Sequence, residues 1–284
     1  MRFLRNIFVG IRAYFKAIRL IIRHKMYWYI AIPAILMLLI YYVGDRVRSH
    51  EVSPDVKTMN GIIWYLIYLL TELSVALLLM KFSKYLVVSL LSPLLSQLSQ
   101  KTENLLTGNS YTYNFKQLVA DVKRALRIIV RNLMWEYFFF LIILLISMIG
   151  WKEATSSPVF YLTYLIGFYY YGFSFMDYVN ERRRLSMDES IVFVRKNRGL
   201  AMMIGAGYSL LIIVPVELDA LFNFSRFSTD FPGALGNFSL NLVLWLCAST
   251  APILAIVTST VAMNDIVDLS SNPYAKKSTP EALD

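Results

Sequence analysis

A chain of 284 residues that is 57% hydrophobic and only 17% charged cannot hide its apolar surface in one water-soluble core without leaving large patches exposed. Its net charge of +9 would suit a nucleic-acid surface, but the cations sit beside apolar segments and no nucleic-acid-binding motif accompanies them. Nucleic acid is therefore excluded as a partner, and anionic lipid headgroups take its place.

Six apolar stretches run at 27–43, 61–80, 132–150, 159–176, 200–217 and 237–263. Segments 1–26, 81–131, 177–199 and 264–284 together hold 23 of the 28 Lys and Arg residues, and the alternating segments hold the other five. Lys/Arg excess marks cytoplasmic loops, so the bias predicts a multi-pass protein with both termini cytoplasmic.

From the N-terminus, Phe3, Leu4, Ile7, Phe8, Ile11, Tyr14, Phe15, Ile18 and Ile22 fall on one side of a helix, with Arg5, Arg12, Lys16, Arg19 and Arg23 largely on the other. This predicts an amphipathic helix in the inner headgroup layer, binding anionic lipid. Packing on the protein's own membrane domain would give the same pattern. The first span enters through Tyr27-Trp28-Tyr29 and carries Pro33, which either starts a new helix or kinks a continuing one. The second span runs from Ile62 past Met80, and its helical pattern continues to Leu105, with a bend expected at Pro93 and a stop at Gly108.

Residues 114–131 are amphipathic again and lead into the apolar arm ending at Ile149. The tip 150–158 reverses the chain, with Ser157 read as an N-cap and Pro158 as the first helical residue. Ser186 and Glu189 have capping-box spacing and open a short helix expected to end at Gly199. A second hairpin joins arms 200–217 and 237–263 through a loop holding Pro232, Gly233 and Gly236. The expected fold is all-α and integral to the membrane: an N-terminal interfacial amphipathic helix, two long transmembrane helices and two apolar helical hairpins. Residues 1–264 form one helical membrane domain, followed by a polar cytoplasmic tail, 265–284.

Enzymatic chemistry has no support in the sequence. His24 and His50 are expected on opposite sides, Cys247 is alone, and no nucleotide-binding glycine loop occurs, so we expect no catalytic residues, metal or cofactor. Glu72 lies near the middle of the second span, where an ionised carboxylate costs at least a few kcal/mol. It is a candidate for proton coupling or gating; a protonated acid hydrogen-bonded between helices is the other reading. Glu136 is expected near a membrane boundary, within reach of water. An oxyanion must exchange its hydration for N–H, hydroxyl, Arg or Lys donors. Two places offer them: Arg23-His24-Lys25 before the first span, and the hairpin tip with Ser156 and Ser157. A lipid-phosphate cluster is the alternative for the first.

Four stretches resemble one known group. They are Gly10 to Pro33; residues 92–108, through Pro93, Glu103, Leu106, Thr107 and Gly108; residues 176–198, through Asp177, Tyr178, Leu185, Ser186, Arg195 and Arg198; and the last hairpin, through Gly205, Gly207, Pro215, Ala251-Pro252 and Thr258. In order and spacing they resemble the CysZ-type sulfate permease and etoposide-induced-protein family. The resemblance implies a permease or channel-like protein of a bacterial inner membrane, taking up an inorganic oxyanion, most simply sulfate, as a homo-oligomer. A non-transporting membrane scaffold of the same family is the alternative. The family's Gly-(Ile/Leu)-Arg motif falls by spacing at Met26, Tyr27 and Trp28, with Arg23, His24 and Lys25 one turn earlier.

Overall fold

The computed structural model describes residues 2–48, 88–111, 115–151, 156–217, 219–222, 227–228 and 230–277. Helices dominate: α1 (Arg2–Arg23), α2 (Ala31–Arg48), α3 (Ser92–Thr107), α4 (Phe115–Gly150), α5 (Leu162–Arg182), α6 (Met187–Lys196), α7 (Arg198–Ile212), α8 (Asp219–Phe222) and α9 (Phe231–Val267). A two-residue strand β1 (Asn109–Ser110) pairs antiparallel with β2 (Lys276–Lys277). The chain is an all-α membrane protein.

Among the described residues, the stretches long and apolar enough to cross a bilayer are Val122–Gly150 in α4 and Phe231–Val267 in α9. Both are arms of the expected hairpins. In α4 the amphipathic stretch and the apolar arm join without a break, because nothing between Phe115 and Gly150 interrupts the ladder. The second span and Glu72 lie outside the described residues. Helix α7, at 15 residues, is about 22 Å long and falls short of a hydrocarbon core of about 30 Å. Ile149, 88% exposed, shows how apolar the outer face is; lipid, not water, suits such a surface.

Several breakers act where their chemistry demands. Gly108 closes α3 at φ 72°, a left-handed cap with its N–H on the Asn104 carbonyl. Ser157 caps the 3-10 turn Pro158–Tyr161 by accepting from the Val159 N–H, as expected. The Ser186–Glu189 capping box forms in full. The Ser186 backbone N–H, and then its hydroxyl, hold the Glu189 carboxyl below the ordinary carboxylate range. Pro33 begins a new helix: α1 ends at Arg23, Lys25 turns left-handed (φ 52°), and the 3-10 turn Met26–Ile30 leads into α2.

Three boundaries differ from expectation. The break in the second element sits at Leu91, so Pro93 is the second residue of α3, where a missing N–H costs nothing. Helix α6 stops at Asn197, whose side chain returns to the Phe193 carbonyl, and Gly199 lies inside α7 against the Phe3 backbone. Pro232, Gly233 and Gly236 form the first turns of α9, since Asp230 accepts from the Gly233 N–H and caps the helix there.

The core centres on α5 and α7, whose backbones touch. A β-carbon on Gly172 would overlap the Ala201 carbonyl, and one on Gly205 the Phe168 carbonyl. Such small-residue contacts bring helices close where lipid supplies no hydrophobic drive. Helix α9 packs on α1, α3, α5 and α7, and its Pro252 leaves the Ala248 carbonyl without a helical donor. Helix α1 lays Asn6, Gly10, Ala13 and Ala17 on this body, held by Tyr14 donating to the Ile204 carbonyl at 2.7 Å and Asn6 to Asn197 at 3.1 Å. Leu4, Phe8, Phe15 and Ile22 remain exposed beside Arg5, Arg12, Arg19 and Arg23. Thus α1 has both a face on the protein and an outer apolar stripe.

Candidate functional site

At the junction of α1 and α2, Arg23 closes the last turn of α1, where the helix dipole favours a cation. The left-handed Lys25 then turns the chain, leaving the Arg23 and Lys25 side chains exposed and His24 half-buried. A further cation arrives from far along the chain: Lys101 of α3 places its ammonium 5.2 Å from the centre of the Tyr29 ring. Lys101 therefore lies beside the Met26–Ile30 turn that follows Arg23, His24 and Lys25 in the chain. Only Arg23, His24 and Lys25 were visible as a cluster in the sequence.

The other candidate donors sit elsewhere. Ser157 is buried and its Oγ is engaged as a cap, on a turn that packs against α4 and α5, whereas α1 packs on α7 and α9. Ser156 is exposed. The structure does not gather Ser156, Ser157 and the Arg23 cluster into one site. Glu136 does not reach water: it is 2% exposed, beside Gly167 and 3.5 Å from the Tyr171 hydroxyl. Helix α5 covers it, which a reading of α4 alone could not show.

A buried polar network that sequence reasoning missed ties α3, α5 and α9 to the tail. Arg182 donates through Nε to Glu103 Oε2 at 2.8 Å and through Nη2 to Ser99 Oγ at 2.9 Å. Ser99 in turn lies 2.6 Å from Thr260 Oγ1. The second oxygen of Glu103 accepts from Asn109 Nδ2 at 3.1 Å and from the Tyr111 hydroxyl. Burial, with the Glu103 carboxylate beside it, pushes the Tyr111 phenol above its ordinary range. Asn272 donates to the Tyr111 hydroxyl at 3.0 Å and to the Arg182 carbonyl at 3.3 Å, so the start of the tail folds onto this network. Beside it, Arg124 grips Asp177 with two hydrogen bonds, at 3.1 and 3.0 Å, and Ser190 adds a third to Asp177 at 2.6 Å.

The charged groups satisfy one another, as buried charges must, while Asn109 Oδ1 has no hydrogen-bond partner among the described residues. Above them, Ser92, Ser96 and Ser99 share one face of α3 at helical spacing, all buried, and Thr258, Ser259 and Thr260 are buried in α9. The Thr258 and Ser259 hydroxyls have no hydrogen-bond partner among the described residues. The sequence did carry a signal here: Glu103, Thr107, Gly108, Asp177 and Thr258 were among the residues of the family resemblance. Their pairing across 79 residues, Glu103 to Arg182, was not readable.

No group of three or more His, Cys, Asp or Glu side chains among the described residues is arranged to hold a metal. No curated protein matches the chain. A family model does, over residues 13–218, from the second half of α1 to just beyond α7. The chain belongs to the family described as sulfate transporter CysZ/etoposide-induced protein 2.4.

Proposed function

We propose that this protein is a permease or channel-like protein for an inorganic oxyanion, with sulfate as the substrate, working in an inner membrane with both termini cytoplasmic. The observation that carries the reading is the family match over residues 13–218. The exposed Arg23 and Lys25 at the entrance of the first span, with Lys101 on the Tyr29 ring of the turn that follows them, support it. A dianion approaching that mouth meets several cations and the N-terminal, positive end of α2. Arg23 and Lys25, being exposed, are free to follow the ion. Ser156, Ser157 and Glu72 stay as candidates for later steps, with no described contact to this cluster. A homo-oligomer fits the wide apolar outer face but is not required by it.

Uptake of radiolabelled sulfate into proteoliposomes tests the reading. Saturable uptake in the wild type is expected, with Arg23→Ala and Lys25→Ala each weakening sulfate binding by about 1.5–3 kcal/mol, the worth of a hydrogen bond to a charged group. Uptake no faster than in empty vesicles would leave the family's scaffold alternative. The orientation has its own check: cysteines placed at Asp55 and Lys101 should react with an impermeant reagent from opposite sides, and same-side labelling would overturn the charge map.

A further inference from the structure

On the outer flank of α5, away from the polar network, α4, α6 and α7 leave an open groove of about 510 Å³. Phe139, Leu165, Ile166 and Met202 line it together with Arg195, from the last turn of α6, and Arg198, the first residue of α7. Both guanidinium groups are exposed, and neither has a carboxylate partner among the described residues. Arg198 lies over the Phe3 ring at 5.8 Å from its centre. Arg131, on α4, stands outside the lining, 5.8 Å from the Phe173 ring centre, and both it and Arg195 bear on the Tyr169 phenol of the groove wall. The groove thus has an apolar body and two cations contributed by two helices.

We infer that this groove holds an anionic phospholipid, its phosphate on Arg195 and Arg198 and an acyl chain along Phe139, Leu165, Ile166 and Met202. Charge and geometry choose this occupant. Arg195 and Arg198 follow the turn at the basic end of α5, the side that the Lys/Arg bias assigns to the cytoplasmic leaflet, where anionic lipids concentrate. Phe139 lies eight residues beyond Arg131 along α4, about 12 Å deeper, and Leu165 one turn beyond Tyr169. The apolar lining therefore begins at the cations and runs inward, as a lipid does. A second copy of the chain would have to bury arginines that have no carboxylate partner among the described residues against its own apolar face, which buried charges do not tolerate. A free oxyanion would use the arginines and leave the apolar length unused.

The inference stands whether or not the protein carries an oxyanion. Its test is binding of tail-labelled phosphatidylglycerol and phosphatidylcholine to the full-length, delipidated protein in neutral detergent. Phosphatidylglycerol should bind at least about tenfold tighter, and Arg195→Gln with Arg198→Gln should remove that preference, the low end for losing hydrogen bonds to a charged group. Met202→Trp, which fills the groove, should weaken both lipids. Arg5→Gln with Arg12→Gln, on the exposed face of α1, tests the competing lipid site there and should leave the preference in place. Three outcomes would overturn the inference: an unchanged preference in the Arg195/Arg198 variant, loss of preference in the Arg5/Arg12 variant instead, or glycerol phosphate binding as tightly as the lipid. Both Arg195 and Arg198 are exposed, neither has a carboxylate partner among the described residues, and Arg198 loses only its contact with the Phe3 ring, so the variants should elute and melt close to the wild type.

Discussion

Two ion pairs in this protein have the same length and opposite surroundings. Arg182 meets Glu103 at 2.8 Å with side chains only 6% and 1% exposed. Lys16 meets Asp265 at the same 2.8 Å with 43% and 31% exposed. The first pair is enclosed by Ser99, Asn109, Tyr111 and Asn272, and joins two helices to the tail. The second bridges α1 and α9 across a surface that water or headgroups reach. Distance does not rank them; dielectric and the donors left behind do. A charge count treats all four residues alike, yet only one pair should matter to the fold.

The sharpest way to break this comparison is Arg182→Ala. It leaves the Glu103 carboxylate buried with Asn109 and Tyr111 alone as donors, and should cost about 3–5 kcal/mol, the usual penalty for halving a buried pair. Chemical or thermal unfolding in detergent measures it. Replacing both partners, Arg182→Met with Glu103→Met, should recover a good part of that loss, since no uncompensated charge remains. A loss under about 1 kcal/mol in the single variant would mean that water reaches the pair and the contrast is false.

Asp177 offers an intermediate case. Its side chain is 5% exposed, while that of its partner Arg124 is 20% exposed and can turn toward water. Asp177→Asn should cost about 1–3 kcal/mol, the penalty for underbonded buried groups. The effect should be local as well, because Arg124 also donates to the Leu185 carbonyl and Ser190 to Asp177, clamping the turn between α5 and α6. Faster tryptic cleavage at Arg183 and Arg184 reports that loosening.

These pairs also mark where sequence reading stopped. Signals confined to a few residues were legible: the Gly108 stop, the Ser157 cap before Pro158, and the Ser186–Glu189 box all formed as spacing demanded. So was the cation cluster at Arg23–Lys25. What depended on a distant partner was not. Nothing near Lys101 pointed to Tyr29, and nothing in α4 showed that α5 would seal Glu136. Pro232 and its glycines looked like a loop because the Asp230 cap that turns them helical was not weighed. Ser92, Ser96 and Ser99 did repeat at helical spacing inside a leucine-rich run, a polar stripe open to reading from sequence alone.

The smallest effect should come from Lys16→Ala. Its pair with Asp265 is exposed enough for solvent to replace either partner, and such pairs contribute about 0–1 kcal/mol. Helix α1 keeps its place by other means: Ala13 and Ala17 are fully buried, Tyr14 donates to Ile204 and Asn6 to Asn197. The variant should therefore melt close to the wild type at low salt, and the residual difference should vanish as added salt shortens the screening length to about 3 Å at 1 M. Melting curves at two salt concentrations decide it. A loss comparable to that of Arg182→Ala, persisting at high salt, would mean that the α1–α9 seam is far drier than its exposure indicates, and that length alone had ranked the two pairs correctly.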